Sequence, residues 1–360
     1  MRALEAITVL DLTRLLPGGA TSAALQAEGA AVIKIEEPLT GDYARGMPPL
    51  IDGMGAVFRE TNGGKKSVAL NLKHAEGREA FMTMVATADV ILEGFRPGVM
   101  ARLGLSYDVL SLRNPRLIYA AITGYGQSGG MAMKAGHDVN YLAMSGLLDV
   151  IAVQSGMPVI PGVQLGDLAG GTMQAVKRVL LAIIERAGTG RGQFLDISMT
   201  AGLDALMAIP HALYRARGEP MRSANETLTG RYACYNVYQS SDGAWFAVGA
   251  LEPKFWRALC SALDCDELVA DQFAEKPRQL AVIATISERF AERTAADWRD
   301  FWAGKDACVT PVLSVACAPL ESPGVAPRLG EHTREVLRER GYADARIDAL
   351  SASGAIGCGD

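Results

Sequence analysis

Histidine is scarce in this 360-residue chain, with four in all, so imidazole chemistry has few places to be. Positive charge is also short. Lys and Arg total 35 against 40 Asp and Glu, a net charge of −5. That balance argues against a general nucleic-acid surface and leaves room only for local basic patches. No segment approaches 18 charge-free apolar residues, so no membrane span is expected. The start, MRALEAITVLDLTRLL, lacks the basic opening and unbroken apolar core of a signal peptide. The end, Gly-Cys-Gly-Asp, is not a peroxisomal S-K-L signal. A cytoplasmic protein is therefore expected. Its six cysteines (Cys234, Cys260, Cys265, Cys308, Cys317, Cys358) form no CxxC and none pairs with histidine at zinc-finger spacing. Reduced thiols acting as small hydrophobes are expected, and no metal site. No GxGxxG follows the first apolar run and no GxxxxGK[ST] occurs, which excludes a nicotinamide dinucleotide fingerprint and a P-loop.

What is present is an alternation of strands and helices. ITVLDLT (Ile7–Thr13) reads as a buried strand, Gly18–Ala30 as a small-residue helix, and AVIKIEE (Ala31–Glu37) as a second strand. That is a βαβ unit, for which right-handed crossover predicts a parallel pair. The rhythm continues through a helix at His74–Ala88, strands at Asp89–Gly94 and Arg116–Gly126, a helix at Leu168–Arg186 and a strand at Gly192–Thr200. Over about 200 residues this predicts a doubly wound α/β domain. Near residue 225 the pattern changes. Tyr235–Ala250 is two apolar runs around Ser-Asp-Gly, a hairpin signal. Helices follow at Glu252–Asp264 and Thr294–Gly304, so a smaller α+β domain is expected there. The length fits two domains.

Several motifs carry both a plain and a chemical reading. GYGQSGG (Gly124–Gly130) is a glycine loop whose amides could approach a phosphate or thioester oxygen, or simply a flexible connection. His137-Asp138 is a base with an adjacent carboxylate, or a surface histidine beside a helix cap. On pattern alone the second is slightly favoured. Asp167, in GDLAGG, is a helix N-cap or a carboxylate aimed into a crevice at the sheet's carboxyl edge, where helix amides could steady an oxyanion. Glu252, before Pro253, reads first as a helix start. Arg96 and Lys73 are cations near strand or loop ends, and most such cations only meet solvent.

Taken together, the segments VLDLTRLLPGG, VIKIEEP, KKSVALNLK, VILEGFRPGVMARLGL, RLIYAAITGYGQSG, AGHDVNYLAMSG, GDLAGG, GRGQFLDISM, DGAWFAVGALEPKF and DACVTPVL resemble the family III CoA-transferases. Within that group they resemble the α-methylacyl-CoA racemases. The resemblance spans nearly the whole chain. It implies an α/β fold with a Rossmann-like large domain (1–200, rejoined by 326–360), a linker helix region (201–224) and a small α+β domain (225–325). It also implies an interlocked homodimer that brings Glu252 of one chain near His137 of the other. By the same resemblance, His137 and Asp167 are the acid/base pair that moves the α-proton of a 2-methylacyl-CoA thioester, with Asp138 and Glu252 orienting the histidine. The CoA positions are Leu70, Asn71, Leu72 and Lys73; Gly94, Phe95 and Arg96; Arg102; and Lys134, Gly136 and Tyr141. CoA is then part of the substrate, and no separate cofactor, nucleic acid or membrane is expected.

One departure stands out. Many relatives carry an arginine for CoA where this chain has Glu37, in Ile35-Glu36-Glu37-Pro38. Glu37 would repel phosphate, and Arg45 or Lys34 are the candidates to compensate. Two other activities compete with racemisation. A CoA transferase would use Asp167 as nucleophile, through an acyl anhydride and then a thioester. A CoA-thioester-binding protein would show no turnover. His137, which the transferases generally lack, favours the racemase over the transferase, and His137, Asp167 and Glu252 together argue against binding without turnover.

Overall fold

A computed structural model describes residues 2–152, 156–221, 224–317 and 324–359. The chain forms two compact units. The first comprises residues 1–147, 161–207 and 322–360, the second 148–160 and 208–321. Residues 153–155, 222–223 and 318–323 lie outside the described residues, and with them part of the expected linker and of the end of the small domain.

The first unit is built on β1 (Thr8–Asp11), β2 (Ala31–Glu36), β3 (Lys66–Leu70), β4 (Val90–Glu93), β5 (Ile118–Thr123) and β6 (Phe194–Ser198). With a last strand at Ile356–Gly357 they form one seven-stranded sheet, in the order Ile356–Gly357, β3, β2, β1, β4, β5, β6. The last strand runs antiparallel to β3, and β1 through β6 pair in parallel. The order reverses direction at β1, and open α/β sheets bind ligands at such a switch point, outside the carboxyl ends of the strands.

The central strands are buried on both faces, as parallel sheets are. Val9, Leu10, Val90, Ile91, Leu92, Ile118, Ala120 and Ala121 are all inaccessible. Helices cover both faces. Helix α1 (Leu15–Ala27) begins three residues before the sequence predicts, with Pro17 inside its first turn. Strand β3 has no counterpart among the strands read from the sequence, where its residues enter only within the KKSVALNLK segment of the resemblance. Its pattern opens on Lys65 and Lys66, and Lys65 is fully buried against Asp11.

Helix α2 (Asp138–Ser145) and helix α3 (Gln174–Thr189) frame the carboxyl edge. The expected helix at Leu168 instead opens as a wide π-helical stretch, Gly166–Met173, that runs on into α3. Asp167 is therefore not a cap; it lies inside the first turn. A side chain at Gly170 would collide with the Met199 carbonyl, so the glycines let this turn lie against the exit of β6.

The second unit holds a three-stranded antiparallel sheet, with β7 (Tyr235–Gln239), β8 (Trp245–Gly249) and β9 (Val309–Pro311). β7 and β8 form the expected hairpin. An aromatic core packs on one face, where Phe290 stacks on Tyr238 with centroids 5.2 Å apart and lies 5.1 Å from Trp298. Tyr235, Val237 and Trp245 stay exposed. All six cysteines are free thiols, three of them buried. No described helix is long and apolar enough to cross a membrane.

Candidate active site at the carboxyl edge of the large sheet

The exits of β1, β4, β5 and β6 line one cavity of about 370 Å³ in the first unit. Its walls include Arg14 after β1, Gly94–Arg96 after β4, Gly124 and Tyr125 after β5, and Met199 after β6. The Lys134–His137 loop, Tyr141 and Asp167 close it.

Local backbone chemistry fixes these groups. His137 precedes α2, and its N–H donates to Asn140 Oδ1 at 3.0 Å. Its imidazole is exposed. Asp138 does not cap its own helix, as the plain reading had it. Its Oδ1 accepts from the Asp167 N–H at 2.9 Å, tying the start of α2 to the π-turn. Tyr141 donates to Gly136 O at 2.6 Å and meets Tyr125 edge-on, centroids 5.3 Å apart. Gly136 is required there because a Cβ would strike both rings.

The electrostatics join these residues into one cluster. Burial, then the neighbouring Asp138 charge, push the Asp167 carboxyl up to about 6, and His137 partly opposes them. Burial, Asp167, Tyr125 and Asp138 push the Tyr141 hydroxyl up to about 12. A carboxyl poised near 6 and an imidazole lining the same cavity suit proton transfer near neutral pH.

A second cavity, about 320 Å³, shares Thr13, Arg14 and Phe95 with the first. Leu70, Asn71, Leu72 and Lys73 line it at the exit of β3, with Glu36, Glu37 and Asp42 from the β2 side. The cations offered as substitutes for the missing arginine are already engaged. Lys34 is wholly buried, 3.0 Å from Asp42 and 2.9 Å from Thr13 O. Arg45 forks onto Glu36, Nε to Oε1 at 2.8 Å and a terminal nitrogen to Oε2 at 2.6 Å. Glu37 has a local task as well: its Oε2 accepts from the amides of Leu39 and Thr40 and from the Thr40 hydroxyl, closing the turn after β2.

Of the residues singled out from the sequence, Gly94, Phe95, Arg96, Lys134, Gly136, Tyr141, His137 and Asp167 come together in the first cavity, and Leu70–Lys73 in the second. Arg102 lines neither. It is exposed at the end of the short helix Val99–Arg102. Glu252 belongs to the second unit, where it stands exposed before the helix Pro253–Ala262 without capping it. Two residues were missed. Arg14 follows β1 and reaches both cavities, and its position at a strand exit was the available signal. Glu93 ends β4, and burial pushes its carboxyl up to about 7 against hydrogen bonds from the Phe95 N–H and the Tyr119 hydroxyl.

Comparison with known proteins gives a consistent picture. Residues 4–335 match the family described as CoA-transferase family III. The human alpha-methylacyl-CoA racemase is 32% identical, covering 97% of this chain and 96% of its own length. The mouse succinyl-CoA:glutarate CoA-transferase is 30% identical, covering 99% and 91%. Among solved structures, a CAIB/BAIF family protein from Brucella suis superposes with a TM-score of 0.81 at 28% identity, covering 94% of this chain and 99% of that one.

Proposed function

The chain belongs to CoA-transferase family III, and we propose that it is a racemase interconverting the (R) and (S) forms of 2-methylacyl-CoA thioesters. The observation that carries this reading is that His137 and Asp167 line the same cavity, with the His137 charge acting on the Asp167 carboxyl. Inversion at the α-carbon needs one group to remove the proton and a second to deliver one from the other side. The Cα–H bond breaks, its electron pair moves into an enolate, and a new Cα–H bond forms from the second group. An ionised Asp167 or a neutral His137 takes the proton, depending on which epimer enters. The partner group, protonated, returns one. The thioester α-proton is weakly acidic, so the enolate oxygen needs preset donors. Asp138 positions the Gly166–Met173 turn through the Asp167 amide.

CoA enters only as part of the substrate, and no other cofactor is called for. Two copies would form the interlocked homodimer, bringing Glu252 of one to the histidine of the other. Exposed Val237 and Trp245 on the small sheet, with Val312 and Leu313 beyond it, fit a covered face. Sedimentation at low concentration should give the dimer mass, and a monomer would contradict this assembly.

Transferase relatives of similar identity keep a second reading open. In it the Asp167 carboxylate attacks the thioester carbonyl and expels CoA thiolate, leaving an aspartyl anhydride. One experiment separates the two. The protein is incubated in deuterated water with one epimer of a 2-methylacyl-CoA and no acceptor acid, and the α-position is followed by NMR. Deuterium uptake with epimerisation supports the racemase. No uptake, with CoA moving only when a carboxylic acid is added, assigns the transferase. His137→Ala and Asp167→Ala should each abolish exchange while CoA-thioester binding persists. Near-normal turnover in either variant would remove the acid/base assignment.

A further inference from the structure

The turn after β1 is built with unusual effort for a loop. Leu15 adopts φ +63°, a left-handed conformation that a branched side chain rarely takes. Its N–H donates to Asp42 Oδ1 at 3.1 Å, while Lys34 Nζ grips Thr13 O at 2.9 Å. Lys34 and Asp42 are themselves a fully buried ion pair. This pair therefore clamps the turn on both sides of one residue, Arg14.

Arg14 is held further along its side chain. The guanidinium lies 4.8 Å from the Tyr43 ring centroid and 5.8 Å from that of Phe95. One terminal nitrogen donates to Tyr43 Oη at 2.7 Å. An arginine fixed in this way loses little freedom when it binds an oxyanion with its remaining donors. It also stands where the two cavities meet, and among the described residues it is the one cation that lines both. The acids near it are mostly neutralised: Glu36 by Arg45 and Asp42 by Lys34. Glu37 is the exception, an acid that burial would raise but that its turn hydrogen bonds and the Arg14 charge hold below the ordinary carboxylate range.

We infer that Arg14 is the residue that binds the diphosphate of CoA at the joint between the two cavities, in competition with Glu37. This rests on the acyl-CoA reading above. CoA carries its diphosphate between the adenosine and the pantetheine arm. A nucleotide in the Leu70–Lys73 cavity and a thioester beside His137 therefore put that group at the joint. In a chain of net charge −5, one preset cation at that point answers the missing arginine.

The test is calorimetric titration of the intact protein with CoA, dephospho-CoA and pantetheine. Wild type should bind both nucleotides. R14M should lose about tenfold or more in affinity for both, and leave pantetheine unchanged. E37Q keeps an acceptor for the turn and removes the competing charge, so it should tighten both nucleotides a few-fold; misfolding cannot mimic a gain. Unchanged CoA affinity in R14M overturns the inference. So does a loss seen with CoA and absent with dephospho-CoA, which would mean Arg14 reads the 3′-phosphate. Wild-type protein that ignores CoA altogether overturns the acyl-CoA reading itself.

Discussion

Two carboxylates end neighbouring strands of the large sheet and behave in opposite ways. Asp11 ends β1 and Glu93 ends β4, which pair in parallel. Both are deeply buried, at 0% and 5% exposure. Burial pushes each carboxyl up. For Asp11 the Lys34 and Lys65 ammoniums, with the Ser22 and Thr13 hydroxyls, more than offset it and hold the group at about 2. For Glu93 no cation among the described residues answers, and the carboxyl rises to about 7. Burial is common to the two, so the counter-ions decide the outcome. The cations gather under the turn that carries Arg14. Of the acids left uncompensated, Asp167 lines the first cavity, and Glu93 directly precedes Gly94, which lines it too.

Removing a cation should break this contrast with the largest effect. In K34M, Asp11 keeps Lys65, but Asp42 loses its buried partner and Thr13 O loses its donor. Breaking a buried pair from one side costs about 3–5 kcal/mol. Urea unfolding should show that loss as a lower midpoint with unchanged slope. K34M/D42N, which leaves no buried charge unpaired at that point, should recover part of it. A K34M protein as stable as wild type would mean that the cluster contributes nothing to the fold.

Glu93 tests the other side. A carboxyl whose native pKa is raised binds its proton more tightly when folded. Its contribution is full below the ordinary glutamate range and is lost as pH rises through about 7. The shift from 4.5 to about 7 caps the effect at about 3 kcal/mol. E93Q keeps an acceptor for the Phe95 N–H and cannot ionise. Wild-type stability should fall between pH 5 and 8, and E93Q should flatten the upper part of that fall, gaining about 2 kcal/mol at pH 8. Parallel curves for the two proteins would show that Glu93 has no raised pKa.

Much of this architecture was legible as apolar runs bounded by turn residues. The β1–α1–β2 unit and the β7–β8 hairpin both follow from such runs, because local pattern alone specifies them. The remainder depends on tertiary contact. Strand β3 hides behind Lys65, whose buried ammonium is met by Asp11, Gly19 O and Ser22 from far along the chain, together with nearby Asn62. The π-turn at Asp167 follows from packing on Met199, and the true partner of Asp138 lies 29 residues downstream. The site residues were reached through family resemblance. Pattern alone left His137-Asp138 as a helix start, which it also is. Arg14 offers in sequence only its position at a strand exit, and the joint between the cavities is what distinguishes it from other such cations.

Asp167 gives the smallest stability effect and the sharpest use of the comparison. Its carboxyl is raised to about 6 by burial and by Asp138. The sign is that of Glu93: the contribution is present at acid pH and lost as pH rises through about 6. The group is only partly buried, so screening reduces the effect to about 1 kcal/mol at pH 7. D167N should therefore be slightly more stable than wild type at pH 7 and equal to it near pH 4, while α-proton exchange disappears. A variant that loses exchange and stability together would mean that Asp167 props the π-turn. Stability gained where exchange is lost would mark Asp167 as a strained acid, kept at the cavity wall at some cost to the fold because proton transfer near pH 6 requires it.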